Sequence, residues 1–86
     1  MTTASNSYDG WTNEETRNVS LWLGNHSKGM EQTILRLMRG RHSNKFADNL
    51  ETYIGIIWRD KTPDGHSLKP VNWVEIADSW IEAYQP

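Results

Sequence analysis

The sequence predicts an all-α protein, a small single domain of about four short helices. Apolar residues recur at helical spacing in four segments, and glycine-containing turns separate these segments. The 86-residue chain has no cysteine for a disulfide, but five tryptophans and three tyrosines supply large side chains for a core. We expect one helical domain at residues 10–86, preceded by a flexible tail of small polar residues at 1–9.

A first helix is predicted at about residues 12–24. Thr12 followed by Glu15 matches a capping box, in which each side chain hydrogen-bonds to the other residue's backbone amide. Gly24 and Asn25 adopt a left-handed conformation easily, which favours a helix end there. The expected apolar face consists of Thr16, Val19, Trp22 and Leu23.

A second helix is predicted at about residues 28–39, ending at Gly40. Basic residues gather near its C-terminal end, where the helix dipole favours positive charge. Its apolar face is expected to consist of Met30, Ile34, Leu37 and Met38.

A third helix is predicted to begin at Ser43, which can cap it. Residues 52–58 are rich in β-branched and aromatic side chains, so this half also fits a strand. A short β-hairpin within residues 56–69, pairing 56–59 with 66–69 around the Pro63-Asp64-Gly65 turn, is therefore the alternative. The helical pattern, which favours a helix, is made by Phe46, Leu50, Tyr53, Ile54 and Ile57.

A fourth helix is predicted at about residues 72–84. Asn72 and Glu75 have the spacing of a capping box, and Val71 and Ile76 have that of a hydrophobic staple. The expected apolar face consists of Trp73, Ile76, Ala77, Trp80 and Tyr84.

The tryptophans divide into core and surface candidates. Trp22, Trp73 and Trp80 lie on predicted apolar faces, and we expect them in the core. Trp58 ends the third helix beside a polar loop, so we expect it to be the most exposed tryptophan. Exposed Trp and Arg side chains are typical of protein-binding hot spots. The candidate partner-binding residues are Trp58, Arg59, Arg17 and Tyr8.

The charge pattern indicates one basic region in a chain whose formal net charge is −2. Residues 36–45, at the junction of the second and third helices, contain four basic residues and no acidic residue. Such a cluster can contact several phosphates, so nucleic-acid binding is the alternative function. The candidate residues are Arg36, Arg39, Arg41, His42 and Lys45.

Neither a catalytic site nor a metal or cofactor site is predicted. The three histidines lie in different loops, and no pair has the i, i+4 spacing of a helical zinc site. Glu14 and Glu15 are adjacent, so on a helix they point about 100° apart and cannot act as paired carboxylates. The longest apolar run is too short to span a membrane, and residues 1–10 do not resemble a signal peptide. We therefore expect a cytoplasmic, non-enzymatic protein.

The opening run Gly10-Trp11-Thr12-Asn13, continuing through Glu15-Thr16 and Val19 to Leu21-Trp22-Leu23, resembles a family of small uncharacterised proteins from phages, plasmids and their bacterial hosts. The closing stretch, residues 71–80, is also similar to many members. The family's Tyr and Trp are replaced here by Glu14 and Arg17. These two residues either alter a shared binding site or simply form an i, i+3 ion pair worth a few tenths of a kcal/mol.

The resemblance implies a phage or mobile-element origin and therefore a bacterial cytoplasm as the working environment. A chain of 86 residues without catalytic groups suits a host take-over or counter-defence factor. We expect it to bind a host protein as a monomer or a homodimer and to modulate or inhibit that protein. Nucleic acid is the second candidate partner.

Overall fold

The all-α prediction is confirmed by a computed structural model, which describes residues 10–25, 28–40 and 42–84. The tail predicted at residues 1–9 lies outside these ranges. The four helices within them are α1 at Glu14–Gly24, α2 at Lys28–Met38, α3 at Ser43–Trp58 and α4 at Trp73–Tyr84. The bounds of α1, α2 and α4 agree with the predicted bounds to within two residues, and α3 begins at Ser43 as predicted.

The core lies where α3 packs along α4, with α2 covering α3 and α1 covering α4. Each helix contributes most of the apolar residues that its sequence spacing predicts. Trp22, Ile57 and Tyr84, which were also expected on apolar faces, are exposed. The apolar side chains with no exposed surface are Val19, Leu23, Ile34, Phe46, Leu50, Ile54, Ile76 and Ala77.

The predicted cap of α1 is wrong by one residue. Asn13, not Thr12, is the N-cap, and its Oδ1 accepts hydrogen bonds from the Thr16 amide at 2.8 Å and the Thr16 hydroxyl at 2.6 Å. The Thr12 amide instead donates to Oε1 of Glu75 at 3.0 Å. The local pattern could not reveal this arrangement, because Glu75 comes from the other end of the chain.

The starts of α1 and α4 are joined by further hydrogen bonds. The Thr16 hydroxyl accepts from the backbone amide of Asn72 at 2.9 Å, and Asn13 donates its side-chain amide to the Pro70 carbonyl at 2.8 Å. Asn72 caps α4 as predicted, since its Oδ1 accepts from the Glu75 amide at 3.1 Å. The reciprocal half of that capping box is not made, because the Asn72 amide is already bonded to Thr16.

The ambiguous segment at residues 52–58 is helical, so the strand alternative is wrong. At the start of this helix His42 is the N-cap and makes no side-chain capping bond, which differs from the predicted cap at Ser43. At its end Arg59 has φ 67°, and its amide donates to the Gly55 carbonyl at 2.8 Å. A positive φ suits glycine far better than arginine, so this helix end carries backbone strain.

The loop between α3 and α4 folds into a tight turn instead of a β-hairpin. Its described residues form one isolated antiparallel bridge, between Lys61 and Ser67. Buried Thr62 closes the turn through a hydrogen bond from its amide to the His66 carbonyl at 2.8 Å. Buried Leu68 anchors the loop to the core, so Asp64 is held at its tip.

Two of the expectations about tryptophans are wrong. Trp22 is 36% exposed, although its spacing predicted a core position. Trp58 is only half-buried and is packed against the core, whereas it was predicted to be the most exposed tryptophan. Trp73 and Trp80 are buried as predicted. Within the described ranges, no helix is both long and apolar enough to cross a membrane.

Candidate protein-binding surface

Exposed apolar side chains of α1 lie near apolar side chains of α3 at one place on the surface. Leu21 is 46% exposed and Ile57 is 44% exposed, which is more than a core-facing helix position normally retains. Trp22 lines one surface depression with Leu21 and another with Ile57 and Trp58. We call these four residues, Leu21, Trp22, Ile57 and Trp58, the aromatic face.

The two tryptophans of the aromatic face hold each other edge to face. Their ring centroids are 6.4 Å apart and their planes make an angle of 75°. This T-shaped arrangement is attractive because the positive edge of one ring faces the negative face of the other. The exposed indole of Trp22 is therefore held by Trp58 and is ordered before any partner arrives.

A polar contact fixes the other side of Trp22. Its indole Nε1 donates to Oδ2 of Asp64 at 3.0 Å, and Asn18 donates its side-chain amide to the same oxygen at 2.9 Å. Asp64 comes from the tip of the α3–α4 loop, so the contact also ties this loop to α1. We call Asn18, Trp22 and Asp64 the carboxylate clasp.

The two donors change the acidity of Asp64. The hydrogen bonds from Asn18 and Trp22 stabilise its ionised form and lower its pKa below the ordinary value of 3.8. Nearby His66 adds a smaller effect in the same direction. At neutral pH the loop tip therefore carries a full negative charge beside an exposed indole.

Two neighbouring depressions share Trp22 and Asn25. The first, which we call the loop depression, has a volume of about 330 Å³ and lies between α1 and the loop tip. Besides the two shared residues it is lined by Asn18, Leu21 and Asp64. The second, which we call the helix depression, has a volume of about 660 Å³ and extends toward α2 and α3. Most of its apolar wall is formed by Met30, Tyr53, Ile57 and Trp58. These volumes suit side chains of a partner.

The structure separates the residues that were predicted to bind a partner. Trp58 belongs to the aromatic face, but its neighbour Arg59 lines a different depression, of about 640 Å³, with Asp60 and Lys61. Arg17 pairs with Glu14 at 3.2 Å, which confirms the predicted i, i+3 ion pair, and it lines neither depression of the aromatic face. Tyr8 lies outside the described residues.

Sequence reasoning missed three residues of this surface. Asn18 is 7% exposed although it is polar, and its buried Oδ1 has no hydrogen-bond partner among the residues that the structure describes. Leu21 was not assigned a role, and Asp64 was interpreted only as a turn residue. A buried polar residue in the middle of a helix has no local signature, since its partner lies 46 residues away.

The residues predicted as the alternative, nucleic-acid-binding site also lie on the surface where they are described. Arg36 and Arg39 lie near the end of α2, and His42 and Lys45 lie near the start of α3, all with exposed side chains. Arg41 lies outside the described residues. The predicted basic cluster thus has at least four exposed members at one helix junction.

Within the described part of the chain, no group of three or more His, Asp or Glu side chains could hold a metal ion. Asp60, Asp64 and His66 share a loop, but they do not form such a group. Asp64 instead accepts hydrogen bonds from Asn18 and Trp22.

Comparison with known proteins gives one match. Neither the curated proteins nor the solved structures contain a match to this chain. Among protein families, residues 4–83 match one that is described as a family of unknown function (DUF7249). The match covers both the run that begins at Gly10 and the closing stretch at residues 71–80. The chain therefore belongs to this family of unknown function.

Proposed function

We propose that this chain is a small non-enzymatic protein that binds a host protein through the aromatic face and modulates or inhibits it. The observation that carries the proposal is the ordered, partly exposed pair of Trp22 and Trp58 beside exposed Leu21 and Ile57. Tryptophan is the residue most enriched in protein-binding hot spots, where it occupies well-packed positions surrounded by apolar neighbours.

The energetic argument concerns preorganisation. Binding costs free energy when side chains lose rotamer freedom, about 0.5–1.5 kcal/mol for each immobilised side chain. Trp22 has already lost this freedom, because Trp58 and Asp64 hold its ring on two sides. A partner that covers the ring therefore gains the free energy of burying it without the cost of immobilising the side chain.

The suggested origin is a phage or other mobile element, and the suggested partner belongs to the bacterial host. This part rests on the resemblance of the opening run and of residues 71–80 to proteins that phages and plasmids encode. A bacterial cytoplasm is the corresponding location. A role in host take-over or counter-defence suits a protein of 86 residues that acts by binding.

The test is an affinity capture from bacterial host lysate, with and without nuclease, followed by mass spectrometry. Ile57→Ser removes an apolar anchor from the aromatic face, and Val74→Ser makes a similar change at a residue of similar exposure on α4. We expect one stoichiometric host protein that survives nuclease treatment and is retained by Val74→Ser but lost by Ile57→Ser. Equal capture by the two variants would show that the aromatic face is not the binding site.

Nucleic-acid binding remains the second candidate, and the observation that favours it is the exposed cluster of Arg36, Arg39, His42 and Lys45. A protein that neutralises several phosphates binds them with a steep salt dependence. Retention on heparin at low salt, lost when Arg39 and Lys45 are changed to Glu, would support this function. Passage through the column without retention would exclude it.

A further inference from the structure

The only charge at the aromatic face, among the described residues that line its two depressions, is negative. Among the described residues that line the loop depression and the helix depression, Asp64 is the only one with an ionised side chain at neutral pH. No lysine or arginine lines either depression. A partner that enters them therefore meets apolar and aromatic surface with a single negative charge at its rim.

The charge of Asp64 is not neutralised within the described part of the protein. Its Oδ2 accepts the two hydrogen bonds of the carboxylate clasp, and both donors are uncharged groups. Its Oδ1 accepts none from described residues, and no described cation forms an ion pair with it. Oδ1 of this carboxylate is thus available to a partner, whereas Oδ2 is held in place by the two hydrogen bonds.

Asn18, which belongs to the carboxylate clasp, lowers the stability of the fold because one of its polar atoms is buried without a partner among the described residues. Asn18 is more than nine-tenths buried, yet its Oδ1 has no hydrogen-bond partner among the described residues. An unsatisfied buried acceptor lowers the free energy of unfolding. A leucine in this position of α1 would avoid that cost but would remove one of the two hydrogen bonds that hold Asp64. Asn18 therefore acts as a positioning residue for the carboxylate.

We propose that the aromatic face binds a protein segment in which a lysine or arginine lies next to an apolar side chain. The cation reaches Oδ1 of Asp64 and lies against the indole of Trp22, while the apolar side chain enters the helix depression beside Ile57 and Trp58. This inference rests on the proposed function, which it refines by naming the chemistry of the partner.

Charge and shape both favour this occupant. An acidic segment would be repelled by Asp64, and a purely apolar one would leave the carboxylate partly covered and without a partner, which is unfavourable. A cation over the face of tryptophan is attracted by the ring's quadrupole. Because Trp22 borders both depressions, two adjacent side chains of one segment can occupy them together.

The experiment is a selection from a displayed library of random linear peptides on the full-length protein. Asp64→Asn removes the charge but keeps an oxygen that can accept from Asn18 and Trp22. Asp48→Asn is the matched control, since Asp48 is an exposed acid of α3 that lines neither depression. Circular dichroism verifies that both variants are folded, and the salt dependence of wild-type binding gives a second measurement that needs no variant.

We expect the selected peptides to be enriched in Lys or Arg beside an aliphatic or aromatic residue. Their Kd should rise roughly two- to fivefold with Asp64→Asn, as for one partly exposed ion pair, and stay unchanged with Asp48→Asn. Binding to the wild type should also weaken as salt is added, and binding to Asp64→Asn should weaken less.

Two different failures can be distinguished. Peptides that lose affinity for Ile57→Ser but lack basic residues, or bind Asp64→Asn as tightly as the wild type, would overturn this inference and leave the proposed function intact. Peptides that bind Ile57→Ser as tightly as the wild type would overturn both. A selection that enriches no sequence would also overturn the inference.

Discussion

Thr16→Val tests whether the opening run that begins at Gly10 has a structural role. The Thr16 hydroxyl donates to Asn13 at 2.6 Å and accepts from the backbone amide of Asn72 at 2.9 Å, in a side chain with no exposed surface. Valine keeps the shape and the β-branching but removes both hydrogen bonds, each worth about 1 kcal/mol. The Asn72 amide also loses its partner, so we expect a loss of about 2–3 kcal/mol in the free energy of unfolding.

Urea denaturation followed by tryptophan fluorescence measures this loss. Thr16→Ser is the control, because it keeps the hydroxyl and removes one buried methyl group, at a cost of about 1 kcal/mol. The reasoning requires valine to be the more damaging substitution, by about 1 kcal/mol or more. A Val variant as stable as the Ser variant would refute the claim that this hydroxyl joins the two helix starts.

Further predictions concern strain, acidity and packing. Arg59→Gly should raise the free energy of unfolding by about 1 kcal/mol in urea denaturation, because glycine accepts φ 67° without strain. The carboxylate clasp lowers the pKa of Asp64 in the folded protein below its ordinary value of 3.8. The clasp therefore adds to the free energy of unfolding above pH 3.8, and this contribution is lost as the pH falls through the folded-state pKa. The Trp22 indole N–H resonance should therefore shift with a midpoint below 3.8; a midpoint at or above that value would contradict the two hydrogen bonds. Trp80→Ala should cost about 3–5 kcal/mol, whereas Trp22→Ala, at a partly exposed site, should cost only about 1–2 kcal/mol; equal losses would contradict this difference in burial.

The helices could be predicted because each is specified by nearby residues. The apolar spacing of Phe46, Leu50 and Ile54 favours a helix even where β-branched residues follow, and the structure continues that helix to Trp58. Similarly, Asn72 and Glu75 marked the start of α4 by a local pattern. In both cases the signal lies within a few turns of the residues that it describes.

The surface could not be predicted to the same extent because it depends on distant pairs. Periodicity assigned Trp22 to the core, but its indole is held at the surface by Trp58 and Asp64, from other parts of the fold. The cap of α1 depends in the same way on residues of α4. Spacing gives the side of a helix on which a residue lies, and the neighbouring elements decide whether that side is covered.

These long-range contacts also change the interpretation of the opening run that begins at Gly10. Asn13 and Thr16 are used to join the starts of α1 and α4, so they are not available to a ligand. Glu14 and Arg17 form their own ion pair. The residues that we propose to contact a partner are instead Leu21 and Trp22, further along the same run.

The most direct test of the account is the affinity of the captured host protein for purified variants. The dissociation constant should rise at least tenfold with Ile57→Ser, as expected for an anchor within a hot spot, and should stay within about twofold of wild type with Val74→Ser. An unchanged dissociation constant for Ile57→Ser would contradict the claim that the aromatic face is where this protein binds.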